Sequence, residues 1–157
     1  MCLLFVASYK VFPQQKTVSD KDNRYSIVIP SGWVYASSKN AFVNVFMSCD
    51  TINPSERLTI TYSRGIGSLS DAYRNNKNAM KELKKFKLEN EGEGELGGEK
   101  CKWFVFTMEG DSGAVWRGKQ YTIKPNRIYI LQYIVPEKRF DVVKDNFENI
   151  VFTFKLN

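Results

Sequence analysis

The chain has 157 residues, enough for one ordinary domain with a core that needs no staples. Hydrophobic content of 43%, a charged share of 25% and a net charge of +6 are those of a soluble globular protein, and the basic balance permits a polyanionic or anionic-membrane partner without requiring one. The sequence contains no histidine, which excludes Ser-His-Asp and Cys-His catalysis and most zinc chemistry, and leaves acid–base work to carboxylates, lysine or tyrosine. Aromatics make up 14% of the chain and lean it toward strands.

Residues 2–7 read CLLFVA, far short of the ~20 apolar residues that span a bilayer. No positive segment precedes them. They read either as a signal remnant or as an apolar segment docked on the core. Residues 1–23 are therefore set apart as an N-terminal tail or signal remnant, with the polar stretch 16–23 as a linker or loop. Residues 24–157 are expected to form a single domain.

Tyr25, Ile27 and Ile29 alternate with polar neighbours, and Pro30-Ser31-Gly32 breaks the strand before Trp33. A strand over 42–47 follows, then a turn around Asn53-Pro54. In 57–63, Leu58, Ile60 and Tyr62 alternate against Thr59 and Thr61, giving a strand with one wet side. Ser68 caps a helix over 69–86, with Asp71 three residues on and Leu69, Ala72, Tyr73, Asn76, Met80 and Leu83 on one face.

Residues 86–96 read as an edge strand whose alternating glutamates share one face. Strands at 101–108, 115–123 and 127–135 follow, with Gly110 to Gly113 as a hairpin turn. The last of these, RIYILQYIV, is apolar on both faces and so belongs at the centre of a covered sheet. A final helix carries Phe140, Val143, Phe147, Ile150 and Val151 on one face. The expected class is α+β: an antiparallel sheet of about six to seven strands packed by two amphipathic helices, layered as an α/β/α-type sandwich or as helix on sheet with an N-terminal segment behind.

Three stretches carry a family likeness: YSIVIPSGW at 25–33; the mid-chain helix with its edge strand and Gly97-Gly98; and the closing strand 128–135 with FDVVKDNFENIVFTF at 140–154. In these the chain resembles the superfamily of the photosystem II extrinsic protein PsbP, the periplasmic protein DcrB and a Ran-binding nuclear import factor. The resemblance implies the fold and a binding or assembly role. It also favours export to the cell envelope or periplasm over the cytoplasm. It brings no catalytic motif and no cofactor.

The expected function is thus a non-catalytic accessory domain that binds a protein. The alternative is a carrier of a small apolar or lipid-like ligand in a pocket lined by Trp33, Trp103 and Trp116. Trp116, Arg117, Lys119 and Tyr121 combine Trp with Arg as a partner-binding strip. Lys77, Lys81, Lys84 and Lys85 form an anion-binding set that permits peripheral membrane contact, against their reading as the wet face of a helix. The glutamates of 89–99 read as a charged guard on an edge strand, with a cation strip as the other choice. They also oppose nucleic acid, for which no RNP-like motif is present. Cys49 and Cys101 are either buried thiols or, if exported, a disulfide. No catalytic or metal-ligating residues are assigned.

Overall fold

In the computed structural model, residues 15–20, 22, 24–37, 43–46 and 56–157 are described. Strands run at Lys16–Ser19 (β1), Tyr25–Ile29 (β2), Val34–Ser37 (β3), Val43–Phe46 (β4) and Arg57–Ser63 (β5). Helix Leu69–Met80 (α1) leads to Lys87–Leu96 (β6), Glu99–Glu109 (β7), Val115–Ile123 (β8) and Ile128–Pro136 (β9). A 3-10 turn at Glu137–Arg139 enters helix Phe140–Val151 (α2), and Lys155–Leu156 (β10) follows it. The strands form a seven-stranded sheet in the order β3-β4-β5-β9-β8-β7-β6 and a three-stranded sheet in the order β1-β2-β10. All pairings are antiparallel.

Strand β9 lies between β5 and β8, as its two apolar faces require. Tyr129, Leu131, Tyr133 and Val135 are buried on one side, against α2 and the small sheet. Ile134 is buried on the other side with Phe104 and Phe106, where Tyr73 and Met80 of α1 pack. The expected α+β class and two-helix layering therefore hold. The small sheet is the addition: it shares one layer with α2, so that face of the large sheet is covered by a helix and a second sheet together.

Three local readings change. Residues 16–19 are not linker but strand β1, paired from Lys16↔Ile29 to Ser19↔Ser26. Only Val18 of this strand is buried, so its sequence shows no alternation. The hairpin to β2 is closed by the buried Asp20 carboxylate, which accepts the backbone N–H groups of Arg24 and Tyr25.

The second change is that α1 stops at Met80 rather than continuing to residue 86. Its N-terminus is a full capping box, with Ser68 Oγ accepting from Asp71 N (3.1 Å) and Asp71 accepting from Ser68 N (3.0 Å). At the other end the chain turns so that Phe86 stacks on Phe106 at 5.8 Å and β6 can begin. Third, a bulge between Leu88 and Asn90 breaks the glutamate row of β6. Glu91 and Glu93 stay on the α1 side, pairing with Lys77 (2.6 Å) and with Lys102. Glu89 instead reaches Arg117 at 2.6 Å.

Candidate functional site

A strand sends successive side chains to opposite faces, so β8 divides the expected partner strip. Trp116 lies on the α1 side with Phe86 and Met108. Arg117, Lys119 and Tyr121 face α2. Arg117 sits over the Phe140 ring at 4.4 Å and pairs with Glu89 and Asp141. Lys119 reaches Glu148 of α2 at 3.0 Å, and the Tyr121 ring is buried. The structure thus separates Trp116 from the other three, which fasten α2 to the sheet.

At that fastening, the Glu148 carboxylate accepts from the Tyr133 hydroxyl at 2.7 Å, from the Tyr121 hydroxyl and from the Lys119 ammonium. Burial first, then the adjacent carboxylate, pushes both phenols well above their ordinary titration range. Sequence reasoning missed Glu148. The one signal was that buried tyrosine hydroxyls need acceptors, and that signal does not say which acceptor.

The lysine set also divides. Lys77 is taken by Glu91, whereas Lys84 and Lys85 both pair with Glu109, Lys85 at 2.5 Å. Lys81 caps the C-terminal end of α1 through its backbone and makes no ion pair among the described residues. Glu109 also donates its backbone N–H to the Lys84 carbonyl at 2.9 Å, which ties the turn after α1 to the β7–β8 hairpin.

One corner therefore unites members of both sets. Trp116 lies against Gly110 of the hairpin, where a Cβ would come within 2.7 Å of the indole Nε1. Leu83 in the turn and Val115 at the hairpin base are exposed at 38% and 45%. Lys85 holds φ +51, alone among non-glycine described residues in the left-handed region. A half-buried indole on a hairpin whose Glu109 holds two lysines has the ingredients of a protein-binding surface.

The three tryptophans do not share a cavity. Trp33 packs edge-on to Phe147 at 5.2 Å, Trp103 lies under the Lys119 ammonium at 4.5 Å, and Trp116 is on the far side of the sheet. Trp33 does line a shallow cleft of about 300 Å³ with Pro30 and Tyr35. A separate cavity of about 350 Å³ opens at the end of the sandwich between Arg24, Arg127, Tyr129 and Leu156. Its arginines, too, escaped sequence reasoning. Among the described residues no three acidic or thiol side chains converge to hold a metal ion. No described helix is long and apolar enough to cross a membrane. Cys101 is buried, which pushes its thiol pKa up, and Cys49 lies outside the described residues, as do residues 2–7 and 47–55.

Every carboxyl with a resolved shift is held low. Glu109 and Glu91 are lowered mainly by lysine hydrogen bonds, Glu93 by Lys102, Asp141 by Lys144 and Asp71 by the Ser68 cap. A carboxyl whose folded pKa lies below its unfolded value stabilises the fold above that unfolded value. The stabilisation is lost as pH falls through the folded pKa. The urea midpoint is therefore expected to hold steady from neutrality to the unfolded value of 4.5 and to decline on further acidification. A midpoint that rises on going from about pH 5 to about pH 3 would contradict these assignments.

The family model described as PsbP matches residues 13–156. Among solved structures, the chain is similar to cyanobacterial PsbP (CyanoP) from Synechocystis sp. PCC 6803, at 19% identity and TM-score 0.63, covering 92% of this chain and 94% of that one. It is also similar to LpqN of Mycobacterium tuberculosis, described as involved in cell envelope biogenesis, at 15% identity and TM-score 0.64, covering 92% and 91%. A Pseudomonas aeruginosa protein of unknown function, PA94, aligns at 15% identity and TM-score 0.59, covering 86% and 92%. No curated protein sequence matches the chain. At these identities the structural likeness shows the fold alone.

Proposed function

The chain belongs to the PsbP family, and from that premise we propose that it is a non-catalytic accessory domain of the cell envelope that binds a protein partner through the Trp116 corner. The observation that carries this reading is the corner itself. The half-buried Trp116 indole packs on the β7–β8 hairpin at Gly110, Lys84 and Lys85 of the turn after α1 pair with Glu109 at the base of that hairpin, and the backbone at Lys85 is held in a conformation that a side chain ordinarily avoids. Strain of this kind costs about 1–3 kcal/mol and gathers where a surface is shaped for a task.

Two further points support the reading. General acid–base catalysis works best with a pKa near the operating pH. Each shift resolved among the described residues runs the other way: carboxyls go down, while tyrosines, the Cys101 thiol and Arg139 go up. The envelope setting is supported by the likeness to LpqN.

A photo-crosslinking residue placed at Val115, in extract from the protein's own cells, tests the surface. A discrete crosslinked partner is expected, lost when Leu83→Glu is added and retained when Lys138→Gln is added at a remote turn. If the Leu83→Glu protein captures the same partner with equal yield, the corner is not the binding surface. Both changed side chains are exposed, so the fold survives them.

A further inference from the structure

The two helices are held to the large sheet in different ways. Helix α2 buries Phe140, Val143, Phe147, Ile150 and Val151, whereas α1 buries only Ala72. Tyr73 and Met80 of α1 are half-buried against a small cluster of Phe104, Phe106 and Ile134, where the helix meets β7 and β8. Phe86 stacks on Phe106 at 5.8 Å, and Leu88, Met108 and Trp116 pack on the same cluster. These four residues belong to segments after α1, so the cluster stays largely covered if α1 lifts. The apolar area then brought to water is small, and so is the hydrophobic cost of opening.

The layer beneath α1 is also polar. Gln120 and Thr122 lie on the face of β8 that carries Trp116 and Gly118, and they are 3% and 0% exposed. Asn76 lies one turn from both Ala72 and Met80, on the inner stripe of the helix. Asn76 Nδ2, Gln120 Nε2 and Thr122 Oγ1 are all buried with no hydrogen-bond partner among the described residues. A buried polar group without a partner destabilises the closed arrangement, and contact with water removes that cost. Under α2, by contrast, the buried Tyr121 and Tyr133 hydroxyls both reach Glu148.

The other attachments of α1 are polar ties near the surface. Lys77 and the Tyr73 hydroxyl hold Glu91 on β6, and the largely exposed Lys84 and Lys85 hold Glu109. Exposed ion pairs add little to stability. The chain can also give way on either side of the helix. Gly65 and Gly67 precede it, Gly67 at φ +99, and an irregular turn over 81–85 follows it.

We propose that α1 is a latch, which lifts from the sheet as one unit while α2, the small sheet and the β-ladder stay folded. Opening hydrates Asn76, Gln120 and Thr122, and it uncovers a strip of Phe104, Gln120 and Thr122 on a face that is otherwise closed. Lids and switches are drawn from such low-stability elements. The opening stands whether or not the Trp116 corner binds a partner.

Native-state hydrogen exchange of the full chain, followed by NMR at rising but sub-denaturing urea, tests the proposal. The amides of residues 73–80 are expected to share one opening, at least about thirtyfold less protected than the amides of α2 and with a shallower urea dependence. Thr122→Val keeps the shape of the side chain and removes the unpartnered hydroxyl, so it should raise α1 protection about fivefold. Ile150→Val weakens α2 packing equally in the closed and opened forms, so it should lower α2 protection about fivefold and leave α1 protection unchanged. The proposal is overturned if α1 and α2 amides of the wild type exchange with equal protection and equal urea dependence. It is also overturned if Ile150→Val lowers both helices together, or if Thr122→Val leaves α1 protection as it was. The wild-type comparison does not depend on any variant folding.

Discussion

Replacing Glu148 with alanine lowers the free energy of unfolding by about 2–4 kcal/mol. The carboxylate is the shared acceptor for the Tyr121 and Tyr133 hydroxyls and for Lys119. Both rings are almost fully buried, so their hydroxyls cannot simply turn to water when the acceptor goes. Each buried donor left without a partner costs about 1–3 kcal/mol. The Lys119 ammonium retains contact with the Trp103 and Tyr121 rings and some access to solvent, which limits its share. Glu148→Gln keeps an acceptor oxygen but removes the charge, and it should cost about 1 kcal/mol. Urea unfolding followed by tryptophan fluorescence measures both. A loss below about 0.5 kcal/mol for the alanine variant would mean that the contacts to α2 are not stabilising.

Phe147→Ala is expected to cost about 3–5 kcal/mol, the range for truncating a buried aromatic. Its ring stacks on Tyr133 at 5.3 Å and meets Trp33 edge-on at 5.2 Å, so two aromatic residues lose a neighbour together. Tyr133 also stacks on Phe140, which anchors the first turn of α2. The rings around the deletion are fixed by strands and by a helix, so the gap does not collapse cheaply. Trp33 should show the change directly, as loss of fixed near-ultraviolet ellipticity before global unfolding. Phe147 and Glu148 both act on Tyr133, one on its ring and the other on its hydroxyl. The double variant is therefore expected to lose less than the sum of the two, and strict additivity would show that ring and hydroxyl are held independently.

The elements legible in the sequence were those whose burial follows a local period. Leu58 and Ile60 against Thr59 and Thr61, the two apolar faces of 128–135, and the stripe Phe140, Val143, Phe147, Ile150 all announce their solvent-facing and core-facing sides within one turn or one pleat. Central placement of β9 followed, as did the α+β class and the family likeness of its core and turn positions. Strand β1 was hidden because one buried Val18 makes no pattern, and the bulge after Leu88 was hidden because it depends on what β7 offers across the ladder.

Tertiary structure alone decided which polar groups meet. Glu148 joins Tyr121, Tyr133 and Lys119 because α2 crosses β8 and β9 at that height. Trp116 parts from Arg117 because the sheet has two sides, and Arg24 meets Arg127 because the small sheet closes over one end of the large one. The physical reason is the same in each case. Period-two and period-3.6 patterns fix a side chain's direction relative to its own element, whereas a site is fixed by strand order and by the distance between layers, which arise only when remote segments pack.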